Sequence, residues 1–392
     1  MEKIREMKKR KTTSEMKKKK PLVALLTNND DDIYCFRKEV IETLIDEGYQ
    51  ILISCPYGEK FELMADMEFL YDDLFIDRRG TNIIVDFKLF LHYLKIFVKY
   101  KPAVVLAYTA KPNVYGSIAA HLLRIPVINN ITGFGSVINE SGWKKQFIMA
   151  LFKLAYRRSA CVMLQNSTNL KMAVRNRMVK GKRMLIPGSG VNTSRYPLQP
   201  YPDGGNGKEG ETVIFNYMGR ILHDKGVDDY IEAARRIKEN YPRTEFNMLG
   251  FIEPTENHYE KELKELEAQG IVRYLGNHKD VKPFIARSHA LIHPSIYGEG
   301  MSNALLENAS SGRPVITTNN PGCRETLKDH VTGYIYQGGN VEELVEKIEM
   351  FLKLDNESRK IMGEKGRKRA IRHFSRDIVV DAYLDAIREI VK

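Results

Sequence analysis

The sequence predicts an α/β fold made of two successive doubly wound parallel sheets, and three observations predict it. Short, nearly continuous apolar runs such as "PLVALLT" (21–27) and "ALIHPS" (290–295) read as strands buried on both faces. Helical patterns separate these runs again and again, as strand–helix–strand units require. A Pro-, Gly- and charge-rich stretch, "PLQPYPDGGNGKEGE" (197–211), interrupts the alternation once, after which it restarts. At 392 residues the chain is also too long for one ordinary core, so two domains are the natural division.

In order, "PLVALLT" is the first strand, "FRKEVIETLIDEGYQ" (36–50) a helix ending at Gly48, and "ILISC" (51–55) the second strand. The alternation continues through "FKLFLHYLKIFVKY" (87–100), "AVVLAY" (103–108), "YGSIAAHLLRI" (115–125) and "PVINNI" (126–131). Beyond the interruption come the strand "VIFNYMG" (213–219), the helix "GVDDYIEAARRIKENY" (226–241), and the strands "EFNMLG", "VRYLG", "ALIHPS" and "PVITTN". The expected organisation is a disordered basic tail at 1–20, a Rossmann-like domain at 21–196 and a linker at 197–211. A second Rossmann-like domain follows at 212–375, and a terminal helix at 376–392 packs back toward the first. Ligands of such sheets bind beyond the carboxyl ends of the strands, here in a cleft between the halves.

Lys and Arg exceed the acids by 11, and residues 1–20 alone hold ten cations against three glutamates. Without apolar periodicity that run is a solvated arm, which could meet nucleic acid, anionic lipid or only water. Cys35, Cys55, Cys161 and Cys323 form no CxxC pair and no His cluster, so neither a structural zinc site nor a disulfide framework is expected, and a reducing cytoplasm is. No signal-peptide core follows the basic start, and no run of about 18 uncharged apolar residues could span a bilayer. The first strand–helix turn, "TNNDDDIY" (27–34), lacks the glycines a nicotinamide dinucleotide needs, which argues against a dehydrogenase. Its aspartates at 30–32 could clamp a metal, or cap the helix.

Chemistry concentrates in the second domain. In "YMGRILHDKGVDDY" (217–230) Gly219 ends a strand, and Arg220 and Lys225 stand beside a helix start near Gly226. A planar donor fork, a mobile ammonium and a helix N-terminus together make a diphosphate seat. The alternative is two surface cations beside a cap. In "GEGMSNALLENASSG" (298–312) Glu299 lies in the loop before a helix closed by Gly312, and Glu307 about two turns inside it. The two acids are then on the order of 10 Å apart, about the span from a sugar hydroxyl to the ribose of a nucleotide diphosphate sugar. Carboxylates accept from vicinal hydroxyls, and the amides of Gly300, Met301 and Ser302 would face the phosphates between them. The bland alternative is that Glu forms helix well and one of the pair faces water.

These segments resemble glycosyltransferase family 4, retaining enzymes of the GT-B architecture, two Rossmann-like domains with parallel sheets facing across a cleft. "IPGSGVNTSRY" (186–196), "GRILHDKG" (219–226), "EGMSNALLE" (299–307) and "GRPVITTNNPGCRETL" (312–327) carry the likeness, in the expected order. The resemblance implies that Arg220 and Lys225 hold the donor diphosphate, that Glu299 binds donor-sugar hydroxyls and that Glu307 binds the ribose. Gly219, Gly300, Met301, Ser302 and Asn303 complete the donor site, and Arg220, Lys225 and Glu299 carry catalysis, with no metal and no cofactor. By position "LGNHKD" (275–280) lies near the base; His278 is its neighbour or an ordinary exposed histidine. In the first domain "YTAKPNVYGSIAAHLLRIPVINNITGFGSV" (108–137) resembles enzymes that extend polyprenyl-diphosphate-linked sugars in capsule, exopolysaccharide or glycan assembly. Lys111 stands where many members place a histidine that approaches the donor sugar, and it could contact acceptor phosphate instead. Gly133 would line the cleft or simply make a turn. The loop after the first strand lacks the family's common double glycine, which weakens any acceptor contact at Asn28 or Asn29.

The implied reaction moves a hexose or N-acetylhexosamine from a nucleotide sugar, UDP before GDP, to a polyprenyl-diphosphate-linked sugar. The basic, aromatic segments "FKLFLHYLKIFVKYK" (87–101) and "WKKQFIMALFKLAYRR" (143–158) point to helices on an anionic membrane surface. That implies a cytoplasmic enzyme peripherally bound to the inner face of the cell membrane, with no nucleic-acid partner. A sugar-nucleotide epimerase or hydrolase of the same fold, and a non-catalytic sugar-nucleotide-binding protein, are the competing readings.

Overall fold

Two parallel sheets organise the chain. The computed structural model describes residues 21–77, 80, 82–133 and 142–391; the expected basic tail at 1–20 lies outside them. The first sheet, in the order β3-β2-β1-β4-β5-β6-β7, has seven strands. They are β1 (Leu22–Leu26), β2 (Gln50–Cys55), β3 (Leu70–Asp73), β4 (Val104–Ala107), β5 (Val127–Ile131), β6 (Cys161–Leu164) and β7 (Lys182–Leu185). Its helices are α1 (Asp30–Phe36), α2 (Lys38–Asp46), α3 (Ile83–Tyr100), α4 (Ser117–Leu122), α5 (Gly142–Tyr156) and α6 (Ser167–Arg175).

The second sheet runs β10-β9-β8-β11-β12-β13. Its strands are β8 (Val213–Met218), β9 (Thr244–Leu249), β10 (Arg273–Gly276), β11 (Ala290–His293), β12 (Val315–Thr318) and β13 (Gly333–Tyr336). Around it lie α7 (Val227–Asn240), α8 (Tyr259–Ala268), α9 (Lys282–Arg287), α10 (Asn303–Ser310), α11 (Val341–Leu352) and α12 (Asn356–Phe374). A last helix, α13 (Arg376–Ile390), ends the described chain. Successive residues of β1 feed opposite cores, Val23 and Leu25 one, Ala24 and Leu26 the other, which is why the run is apolar throughout.

Three local features differ from the sequence reading. The helix expected at 36–50 is two helices broken at Arg37, and the first of them starts at Asp30. Arg37 is buried with its guanidinium 4.4 Å from the centre of the Tyr108 ring, a placement the break makes room for. The aspartates 30–32 form the first turn of α1, and Asn29 caps it by accepting from the Asp32 amide at 2.7 Å. The sequence reading gave no strand at β3, β6, β7 or β13.

The segment 197–211, expected as a linker, is strapped along the second domain. Buried Arg313 donates to the carbonyls of Pro200 (2.6 Å) and Ile285 (2.9 Å), and buried Arg359 to that of Gly205 (2.8 Å). The chain crosses between domains at 186–196 and returns at 374–376, and the two crossings hydrogen-bond. The Val191 amide donates to the Phe374 carbonyl at 2.8 Å, and the Arg376 amide to the Val191 carbonyl at 2.9 Å.

Helix α13 then lies on the first sheet, with Val379, Tyr383 and Ile387 in the same core as β1 and β2. The Tyr383 hydroxyl accepts from the Asn130 amide at 2.6 Å. Arg376 holds the junction, with Nη1 2.7 Å from Glu39 Oε2 and Nη2 3.1 Å from the Gly190 carbonyl. Arg376→Ala strands a carboxylate and a carbonyl together, so urea unfolding should show a loss of about 2–4 kcal/mol. Arg388→Ala, which breaks an exposed pair with Glu47, should cost under ~0.5 kcal/mol in the same measurement.

Candidate active site

Strands β8 and β11 are neighbours, so the loops leaving their carboxyl ends meet. After β8 the chain makes a tight turn at His223–Lys225 and enters α7 through Gly226, whose φ is 70°. A side chain at Gly226 would collide with the Pro294 carbonyl, so only glycine lets the turn close against the β11 loop. That closure sets Lys225 Nζ 2.8 Å from Glu299 Oε1. His293, the last residue of β11, places Nε2 2.9 Å from the same oxygen and 3.1 Å from the Ser302 hydroxyl. Burial alone would raise the Glu299 carboxyl, but Lys225 and His293 outweigh it and hold the group well below the usual carboxylate range. Glu299 is therefore a half-buried acceptor whose ionised form is favoured. Among the described residues, buried His293 Nδ1 has no hydrogen-bond partner.

The Glu299 loop is fixed from both domains. Asn166 Nδ2 donates to the carbonyls of Glu299 and Gly300, both at 2.8 Å, while its Oδ1 caps α6 by accepting from the Asn169 amide. A Cβ at Gly300 would collide with the Thr132 carbonyl and the Gln165 side chain, so this glycine permits the closest approach of the domains. Gly133, with φ 154°, directly follows Thr132 and so lies beside this contact. The expectation that three amides face the phosphates is corrected in one respect. The Ser302 amide donates to the Gly322 carbonyl at 3.0 Å, which leaves those of Gly300 and Met301 without a backbone partner among the described residues. Met301 packs its side chain against Val191 and Leu306, so only its backbone is available. Asn303 is the first residue of α10, so Glu307 lies in its second turn.

A cavity of about 280 Å³ opens beside this cluster, lined by Gly219, Arg220, Asn277, His278 and Glu307 among others. The sequence-predicted residues Arg220, His278 and Glu307 thus share one space. Arg220 Nη1 is paired with Glu253 Oε2 at 3.0 Å, not with Glu299. His278 donates from Nε2 to the Leu275 carbonyl at 2.7 Å and rests on Phe284. Burial pushes the Glu307 carboxyl up to about 7, against the Tyr196 hydroxyl, Arg195 and Arg376, which favour its ionised form.

Lys111 stands apart. Its Nζ lies 2.6 Å from Asp86 Oδ1, and the Tyr115 hydroxyl donates to the other oxygen at 2.8 Å. Among the described residues, His293, Glu299 and Cys323 are close enough together to hold a metal ion. There the Lys225 ammonium already neutralises Glu299, and burial pushes the Cys323 thiol up, so a cation would have to displace the ammonium and the thiol proton.

His293 and Asn166 were missed by the sequence reading. "ALIHPS" showed a strand emptying into the loop but not the target of its histidine, and nothing in "QNST" (165–168) pointed to the carbonyls that Asn166 binds.

Glu307 sets a pH dependence of stability. Its folded value lies above the ordinary 4.5, so the folded state binds the extra proton and stability falls as pH rises from about 4.5 through about 7. The fall should be of order 1–3 kcal/mol. Glu307→Gln should remove it, as the difference between the two proteins' urea stabilities at pH 5 and pH 8 will show.

Comparison with known proteins finds a match in each half of the chain. The family "Glycosyl transferases group 1" matches residues 203–369, and "Glycosyl transferase 4-like" matches 23–166. A Campylobacter jejuni N,N'-diacetylbacillosaminyl-diphospho-undecaprenol alpha-1,3-N-acetylgalactosaminyltransferase is 23% identical over 92% of this chain and 96% of its own. The Escherichia coli UDP-Gal:alpha-D-GlcNAc-diphosphoundecaprenol alpha-1,3-galactosyltransferase is 22% identical over 79% of this chain and 82% of its own. Among solved structures, a Rickettsia africae glycosyltransferase superposes with a TM-score of 0.75 at 19% identity, covering 95% and 99% of the two chains. Anabaena HepE in complex with UDP-glucose gives 0.74 at 16%, covering 94% and 100%. These neighbours share the GT-B fold, and with a glycosyltransferase family matched in each half, the chain belongs to the family 4-like, group 1 glycosyltransferases.

Proposed function

We propose that this glycosyltransferase moves a hexose or N-acetylhexosamine from a UDP-sugar to a sugar carried on a polyprenyl diphosphate, with retention at the anomeric carbon. One observation carries the reading: Glu299, held ionised by Lys225 and His293, stands at the start of α10 beside the cavity of Arg220, His278 and Glu307. The donor would lie with its base near His278, its ribose hydroxyls on Glu307, its diphosphate between Arg220, Lys225 and the Gly300 and Met301 amides, and its sugar hydroxyls on Glu299. The names of the Campylobacter and Escherichia relatives support the lipid-linked acceptor, and the HepE complex supports UDP.

In the reaction the bond from the anomeric carbon to phosphate oxygen breaks and a bond to the acceptor hydroxyl oxygen forms on the same face. The acceptor proton passes to the departing phosphate oxygen. Negative charge grows on that diphosphate, where fixed cations and amides contribute most to lowering the barrier. Arg220 and Lys225 supply this charge, so the reaction needs no metal. Lys111, tied to Asp86, would orient the first-domain wall of the cleft instead of carrying charge to the donor. No helix among the described residues is long and apolar enough to cross a membrane. The enzyme would meet its lipid-linked acceptor at the cytoplasmic surface of the cell membrane.

Incubation with labelled UDP- and GDP-sugars and a polyprenyl-diphosphate-sugar extract should move label from one donor into the lipid phase. Donor isomerised or hydrolysed at catalytic rates without label in lipid would overturn the transferase assignment to this acceptor class. Glu299→Gln and Arg220→Ala should each lower transfer at least ~100-fold while circular dichroism stays that of the folded protein.

A further inference from the structure

Resting on the reading that the acceptor is lipid-linked, we propose that the outer face of the α3–α4–α5 layer is the surface that docks on an anionic bilayer. The helices are neighbours on one side of the first sheet, with α4 in contact with both others. Helix α5 buries Phe152, Ala155 and Tyr156 inward, yet it carries a second apolar stripe facing outward: Trp143, Phe147, Ala150 and Leu154. Those positions, i, i+4, i+7 and i+11, fall on one face of a helix, and Trp143 at its head is 73% exposed. Helix α3 repeats the arrangement, burying Leu89, Tyr93 and Phe97 while exposing Ile84, Phe87, Leu91 and Val98. A helix apolar on both sides at the surface needs something to cover the second side.

Charge identifies what covers it. Between residues 78 and 202 the chain holds twenty lysines and arginines and only two acids, Asp86 and Glu140. Asp86 is already paired with Lys111. At the carboxyl end of α5, Lys153, Arg157, Arg158 and Lys180 line an open cavity of about 570 Å³ together with Ala150 and Leu154. The stripe and the cations therefore share one wall. An apolar stripe with basic groups along its margin is the form of an interfacial helix: the stripe enters the headgroup boundary and the cations take lipid phosphates.

Trp143 is the single tryptophan of the sequence, so the protein reports its own docking. Adding phosphatidylglycerol-rich vesicles to the full chain should shift its emission to the blue, and pure phosphatidylcholine vesicles should shift it little. Replacing Lys153, Arg157 and Arg158 together by Glu should weaken vesicle partitioning at least ~30-fold. Phe147→Ser with Leu154→Ser should abolish the blue shift. Both variants alter exposed positions and should keep the wild-type melting temperature and transfer to a short-chain, water-soluble polyprenyl-diphosphate sugar. Unchanged emission with undiminished partitioning of both variants would overturn the proposal. So would partitioning that disappears on removal of residues 1–20 and in neither variant. Docking by a protein that transfers no sugar would sink the proposed reaction and leave the surface standing.

Discussion

The site depends on keeping one carboxylate charged in a place that is largely withdrawn from water. Removing Glu299 from solvent without partners would shift it to its neutral form, and a neutral carboxyl is a poor acceptor for sugar hydroxyls. Lys225 and His293 prevent this, one from the turn after β8 and the other from the end of β11, so the charge state of one oxygen depends on the register of β8 against β11. That demand reaches further. The turn at Gly226 exists to bring Lys225 in, and the loop bearing Glu299 is anchored by Asn166 from the opposite domain. The loop of the second domain that bears Glu299 is therefore held partly by the first.

The junction of the domains has its own support. The two interdomain crossings lie side by side, and α13 continues from the second so as to complete a core of the first sheet. A chain that crosses once could open freely about that point. One that crosses twice, with the crossings bonded to each other, is confined to motions that keep them together. Arg376 sits where this confinement is set, with Glu39 and the Gly190 carbonyl on either side. Glu307 feels the positive field of both Arg195 and Arg376, so the junction's charges extend into the cavity.

How much of this the sequence disclosed follows from the range of each interaction. The strand–helix alternation was legible because strands buried on both faces are continuously apolar, as β1 and β2 are. The acids at 299 and 307 were legible because both lie near one helix start, where spacing is geometry. The pairing of Lys225 with Glu299 was not, since it needs β8 and β11 to be neighbours, which local pattern does not state. Asn166 was less legible still: its cap is local, its clamp on Glu299 crosses the cleft. The break at Arg37 belongs to the same class, since the guanidinium rests on Tyr108, just beyond the end of β4. The segment 197–211 misled for the opposite reason. Its composition is that of a free linker, and two buried arginines far along the chain bind its carbonyls.

The handedness of the strand–helix units links the site to the proposed docking face. A crossover helix runs antiparallel to the strands it joins, so its N-terminus lies at their carboxyl ends, on the cleft side. Helices α3 and α5 therefore turn Ile83, Ile84 and Trp143 toward the cleft, and Lys99, Lys101, Arg157 and Arg158 away from it. A bilayer against this layer would touch apolar groups at the cleft rim and place its phosphates on the cations behind. The lipid tail of an acceptor would then stay among its neighbours while its diphosphate and sugar rise over the rim past Asp86 and Lys111 to Gly133. Only the carbohydrate has to leave the membrane surface, so the acceptor need not be extracted from the bilayer, and the hydrophobic cost of exposing a polyprenyl chain to water is avoided.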